Sequence, residues 1–289
     1  MKCRCRLVLA LALVGLWSAQ VAARPALWMI RQAHSTIYLF GTVHLLPNDT
    51  AWRYPALDHA LADSRTLYIE LTDDNQANMA ALVLRYGLDP AHPLSSLLDA
   101  SQRQRLQHAV EQASVPGGMQ ALNMMRPWLA ALTLTTAPLL KAGLDPQRGV
   151  DRQLQAQMLA AGKPVLGLET AEQQIHFLAD MSDTMQLAFL QATLKDVGKD
   201  GRELTELIDA WKAGDTGRIA QIEDEDLRQQ APALYQRLLV RRNQAWAVTI
   251  AAMLKQPGTT FIAVGAAHLA GPDSVQAQLH KLGIETIRQ

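Results

Sequence analysis

Two short apolar runs, each stopped by a glycine with a histidine three places on, constrain this chain more than any other feature. "LFGTVHLLP" (39–47) and "AVGAAHLAG" (263–271) align without a gap. With 17 glycines and 8 histidines in 289 residues, about 0.5 such glycine–histidine pairs are expected by chance. Two pairs, each preceded by an apolar run and followed by leucine, exceed that. In open α/β sheets, ligands bind beyond the carboxyl ends of the strands. A glycine at such an end permits a sharp turn and close backbone approach. His44 and His268 are therefore expected at the mouth of one crevice, provided the two strands are parallel neighbours. The competing reading is a partly buried histidine that merely caps each strand. The gapless match also predicts pseudo-repeated halves.

Two further segments end in the same way. "SRTLYIELT" (64–72) is a strand interrupted by Glu70, and "KPVLGLET" (163–170) is a short one that delivers Glu169. Helical spacing over 51–63, with Trp52, Leu57 and Leu61, links the strand that ends at Gly41 to 64–72 as a strand–helix–strand unit, most simply closed as a parallel pair. "ALWMIRQAHSTIYLFGTVH" (26–44) reads as two strands around a polar turn at Arg31–Ser35. Helical patterns fill roughly 75–160 and 171–256, among them "RPWLAALTLTTAPLL" with Pro127 in its first turn. The last helix, about 232–256, carries Arg241, Arg242, Asn243 and Trp246. The strand "TTFIAV", a helix over 271–283 and the strand "IETIR" complete the chain. The expected class is α/β: a mixed, mostly parallel sheet with a large helical insertion, in a single domain over 24–289.

Export is written into the first residues. Lys2, Arg4 and Arg6 precede an apolar stretch, Leu7–Trp17, and Val21-Ala22-Ala23 offers a cleavage site. Residues 1–23 read as a signal peptide, too short for a membrane span of about 20 residues. The mature chain is then expected in the periplasm or outside the cell, with no stable membrane insertion. Cys3 and Cys5 leave with the leader, so no thiol nucleophile, thiolate ligand or disulfide remains. Losing three basic residues leaves 24 Lys+Arg against 27 Asp+Glu, a net charge of −3. Nothing in that balance points to nucleic acid, and no motif sets an oligomeric state.

The chemistry available is narrow. Two imidazoles with one or two carboxylates suit Mn²⁺, Zn²⁺, Co²⁺ or Fe²⁺. Such an ion activates a bound water, and a spare carboxylate moves its proton. No HExxH helix, nucleophile elbow, Walker loop or dinucleotide fingerprint occurs. A buried carboxylate needs a cation, a metal or a proton, which singles out Glu70 and then Glu169. Their plainer readings are a salt bridge to a helix arginine and a cap on the helix beginning at "ETAEQQ". Arg242 and Asn243 would polarise a carbonyl if their helix turn faces the crevice, and otherwise sit on a solvated face. Arg126 is either a substrate clamp or a helix start, and Asp151 in "GVDRQL" reads as a helix start. The other six histidines read as surface residues and the ten methionines as core filler.

With these stretches in view, the chain resembles the TraB/GumN family, related to the Tiki-type metalloproteases. The resemblance rests on "LWMIRQAHSTIYLFGTVHLLP", "LYIELT", "RPWLAALTL", "GVDRQL", "AGKPVLGLET", "RRNQAW" and "FIAVGAAHLAGPDSV", and spans about residues 25–289. It implies an active site of paired G-x-x-H motifs, Gly41–His44 and Gly265–His268, plus a glutamate, placed at Glu70, and an arginine. The Tiki branch implies a Mn²⁺- or Co²⁺-dependent peptidase, with Zn²⁺ as the alternative ion. Two positions depart from the family: Ala267 stands where glycine is usual, and Arg241 where an acidic residue is common.

The leading expectation is a metal-dependent hydrolase acting on a peptide or protein. His44, His268 and Glu70 would be ligands, Glu70, Glu169 and Arg242 the catalytic groups, and Arg126 and Asn243 would hold substrate. The alternatives are a metal-independent, esterase-like hydrolase with a histidine general base and a non-catalytic protein that binds haem or a peptide.

Overall fold

Residues 23–47, 50–197 and 202–289 are described in the structure, a computed structural model. Residues 1–22, all but the last of the expected signal peptide 1–23, lie outside them. Among the described residues, no helix is long and apolar enough to cross a membrane.

The hairpin forms as the alternation predicts. β1 (Leu27–Arg31) pairs antiparallel with β2 (Ser35–Thr42), from Leu27↔Phe40 to Arg31↔Thr36. Between them, the amide of Gln32 donates to the Ser35 carbonyl at 2.9 Å. β3 is Thr66–Ile69, β4 is Val165–Gly167, β5 is Gly258–Gly265 and β6 is Ile287–Arg288. They form one mixed sheet in the order β4-β3-β5-β2-β1-β6. The four strands from β4 to β2 run parallel, while β1 and β6 run against their neighbours.

One connection differs from its expected form. β2 and β3 are parallel, but β5 lies between them and pairs with both. The strand–helix–strand unit therefore leaves a gap that a strand nearly 200 residues later fills. β5 is buried from Phe261 to Val264, on both faces, which suits a central strand.

β2 and β5 register from Ser35↔Gly258 to Thr42↔Gly265. Alternation sends Tyr38, Phe40, Phe261 and Ala263 to one face, among Trp52, Leu57, Leu154 and Trp211. Ile37, Leu39, Ile262 and Val264 go to the other, among Trp246, Ile250, Leu254 and Leu279. Phe40 stacks on Trp52 at 6.1 Å and meets Trp211 at 6.5 Å. The Trp211 indole N–H donates to the Gly41 carbonyl at 2.7 Å, which satisfies a buried group just where the strand ends. The helices between β3 and β5 carry cores of their own, one around Leu106, Leu122, Leu134 and Leu190 and another around Trp128, Ile175 and Leu234.

The two halves resemble each other only as far as their glycines. Past Gly41 the strand adds Thr42 and runs on in open coil, whereas after Gly265 the chain winds into a 3-10 turn, Ala266–Leu269. His44 is consequently exposed and His268 buried.

Candidate functional site

Adjacent parallel strands bring the two motifs together as expected. Gly265 marks the meeting point. A Cβ added there would lie 3.2 Å from Glu70 Oε1, 3.7 Å from His268 Cδ2 and 3.8 Å from His44 Nε2. Both rings and a carboxylate thus converge on the notch that a missing side chain leaves.

His44 is aimed by a neighbour far along the chain. The amide of Val150 donates to the Val43 carbonyl at 3.0 Å, docking the Val150–Ala160 helix against the coil after β2. Gly149 makes this approach possible, since a Cβ there would sit 2.7 Å from both the His44 carbonyl and Asp151 Oδ1. Asp151, in the first turn, then accepts from His44 Nδ1 at 3.2 Å. That hydrogen bond pushes His44 up to about 9. In the absence of a bound cation the contact favours the protonated ring, and Nε2 faces the cleft.

His268 has the opposite character. Its Nδ1 lies 2.6 Å from Asn243 Oδ1, whose amide nitrogen donates to the Asp273 carbonyl at 2.8 Å. This network assigns the proton to Nδ1. Nε2 then accepts from Arg242 Nη1 at 3.0 Å. The ring packs on Trp246, with centroids 4.4 Å apart. Burial, helped by the Arg242 and His44 charges, pushes its pKa down to about 3, so it is neutral.

Arg242 is the hub. Nη2 meets Glu70 Oε2 at 2.7 Å and Glu169 Oε2 at 2.8 Å, and Nε meets Glu169 Oε1 at 3.0 Å. Gln174 Nε2 donates to both carboxylates, at 3.1 and 3.0 Å. The Gly265 amide donates to Glu70 Oε1 at 2.8 Å. Burial opposes ionisation of Glu70, but the surrounding positive charges and this amide prevail and hold it far below the usual carboxylate range. The guanidinium also lies over Trp246, 4.8 Å from the ring centre. Gln236–Val240, just before it, is wound as a π-helix, a distortion common at functional sites.

Of the residues expected here, His44, His268, Glu70, Glu169, Arg242 and Asn243 come together. Asn243 does so in a different role. Its side chain is fully buried and spends its oxygen on His268 and its nitrogen on the Asp273 carbonyl, leaving neither for a substrate. Arg126 stays exposed at the N-terminus of the Pro127–Lys141 helix and is not among the residues lining the cleft. Glu169 is no cap, because Thr170 and Gln173 form the capping box of the Ala171–Ala179 helix. Asp151, read from sequence as a helix start, is that and the partner of His44 as well. Gln174 and Thr42 were not singled out from sequence. Gln174 lies one turn into a helix whose start was legible, and Thr42 lies inside the first motif itself.

The site opens into a cleft of about 230 Å³ lined by Thr42, His44, Glu70, Asp151, Arg152 and Gln174. A larger cavity, about 500 Å³, lies among Glu172, His176, Phe177 and Arg241 and contains none of the converging groups. The donor set of two imidazoles and a carboxylate fits a divalent ion in its chemistry. Each ring is fixed through Nδ1, as metal-ligating histidines are. Among the described residues, no three His, Cys, Asp or Glu side chains close around a common ion position. Arg242 instead bridges Glu70 and His268.

An α/β sheet with a polar cleft at the carboxyl ends of its parallel strands, built from paired G-x-x-H turns, defines the class of protein. The chain belongs to the TraB/PrgY/gumN family, whose profile matches residues 26–288. It is 28% identical over 260 residues to the uncharacterized protein YbaP of Escherichia coli K12, covering 88% of this chain and 92% of that one. YbaP of Shigella flexneri matches to the same extent. An uncharacterized protein of Treponema pallidum is 22% identical over 263 residues, covering 86% of this chain and 78% of that one. No solved structure matches the chain.

Proposed function

We infer that the chain is an exported, metal-dependent hydrolase of peptides. The observation that carries this reading is the convergence of His44 Nε2, the His268 ring and Glu70 Oε1 on the notch at Gly265, each ring oriented through Nδ1. His44, His268 and Glu70 would hold the ion, which when bound supplies a Lewis acid and an acidified water. Arg242 would then release the His268 lone pair while keeping Glu169. The N–H so freed would be the one to meet charge developing on a carbonyl oxygen. Asp151 and Asn243 keep both rings aimed. Purified native protein should contain a stoichiometric divalent ion and cleave peptides in a chelator-sensitive way. His44→Ala and His268→Ala should each lose the ion while staying folded. Full activity in both variants would overturn the hydrolase reading.

A specific feature favours the metal-free alternative, the Asp151–His44 pair, a carboxylate orienting an imidazole whose far nitrogen faces the cleft. It requires a neutral His44. Its mark would be hydrolysis that survives excess chelator and rises toward pH 9. The haem-holding alternative draws no support from a cleft of about 230 Å³, because even drug-sized ligands fill roughly 300–1,000 Å³.

A further inference from the structure

Thr42 closes β2 beside Gly265, its register partner on β5. It is 2% exposed, and its hydroxyl has no hydrogen-bond partner among the described residues. A buried hydroxyl in that state bears its full desolvation cost. Other threonines in the chain escape it. Thr133, Thr135, Thr136, Thr193 and Thr249 each donate to the carbonyl four residues back in a helix. A strand offers no such acceptor. Valine would fill the same volume, suit a strand better and carry no polar atom to strand. The hydroxyl is therefore matched to something that enters the cleft it lines with His44 and Glu70.

Register partners on parallel strands face the same side of a sheet. Thr42 consequently points to the side on which Gly265 leaves its notch, where Glu70 Oε1 and His44 Nε2 already converge. A bound water needs two to four polar partners, and in the ion-free site these three groups supply them. We propose that Thr42 positions the attacking water, its Oγ hydrogen-bonded to the molecule held in the Gly265 notch. The proposal rests on the hydrolase reading for the word "attacking", and the water site itself stands apart from it.

Thr42→Val and Thr42→Ser test it in the full-length protein. The valine variant should fold, melt at or above the wild-type temperature, and lose about 100-fold in kcat with KM little changed, the scale of loss for a misplaced reactant. The serine variant should restore most of the rate. A high-resolution crystal structure of the wild type should show an ordered water within hydrogen-bond reach of Thr42 Oγ1 and Glu70 Oε1, missing in the valine variant. A valine variant that melts well below wild type and is rescued by serine means a structural hydroxyl, and overturns the proposal. So does wild-type kcat in the valine variant, or a notch without water in the crystal. An ordered water in a wild type that hydrolyses no substrate would sink the hydrolase reading and leave the water site intact.

Discussion

Arg242 Nη1 lies 3.0 Å from His268 Nε2. Guanidinium has no lone pair to offer, so the imidazole must be the acceptor and must be neutral on that nitrogen. One side chain thereby fixes the protonation of His268 and pairs with two carboxylates. The arrangement is buried, with Arg242 11% exposed and Glu169 7%. Removing one partner of a buried ion pair costs far more than the pair is worth against apolar residues. Arg242→Ala should therefore lower unfolding free energy by about 3–5 kcal/mol, read by denaturant titration. Arg242→Lys should recover only part of this, because an ammonium cannot bridge Glu70 and Glu169 with a planar fork. A loss below about 1 kcal/mol in the alanine variant would contradict the hub role.

The Asp151–His44 contact makes a prediction about proton affinity. His44 is raised to about 9 chiefly by its hydrogen bond to Asp151. Asp151→Asn should bring it back toward the ordinary 6.5, tracked through the ring resonances by NMR. The sign for stability comes from linkage. Protonated His44 favours the fold fully below pH 6.5, and that favour fades as pH rises through about 9. The effect is small because the ring is largely exposed and solvent screens it. The asparagine variant should lack this alkaline decline.

Much of this architecture was legible in the sequence. The apolar runs marked β2, β3, β4 and β5, and the glycines marked where they stop. Glu70 and Glu169 stood out because a carboxylate at the end of a buried strand needs a counter-charge. What was hidden depends on contacts between distant segments. No local pattern tells that β5 inserts between β2 and β3, since strand order is set by pairing across nearly 200 residues. Asp151 meets His44 over 107 positions only because Gly149 lets a helix end touch a loop. The turn of the helix bearing Arg242 was open for another reason. A π-turn adds a residue to the ladder, and each added residue rotates the remainder of the helix by about 100°. The winding at Gln236–Val240 thus decided which face Arg242 and Asn243 present.

Gly149 is among the tightest points of the site's support. A Cβ placed there would meet the His44 carbonyl and Asp151 Oδ1 at 2.7 Å, and one of the two is backbone that cannot swing away. Gly149→Ala should cost about 1–3 kcal/mol through overpacking and separate His44 from Asp151. Gly217→Ala provides the contrast, since its nearest neighbour, Asp215 Oδ1, is 3.4 Å away in ordinary contact. That helical position should tolerate alanine with a gain of about 0.4–1 kcal/mol. Paired melts of the two variants check the difference, and equal effects would refute the close-approach account.

Asp224 sits on a second π-wound segment, Gln221–Glu225. It is 5% exposed, and its Oδ2 has no partner among the described residues. Burial first, then the charges of Glu223 and Asp273, raise it from 3.8 to about 7 against the pull of Arg228. Tyr235 does not relieve it, because that hydroxyl donates to Asp273 at 3.1 Å. The folded state therefore holds this proton over a range where the unfolded chain has released it. By linkage, the stability it provides is complete below about pH 4 and is lost as pH rises through 7. Asp224→Asn keeps the shape and cannot ionise. Denaturant titrations at pH 5 and pH 8 should show a decline in the wild type that the variant lacks, with the variant the more stable at pH 8. An identical decline in both proteins would mean that Asp224 is ionised in the fold across this range, and that its carboxylate has found a partner.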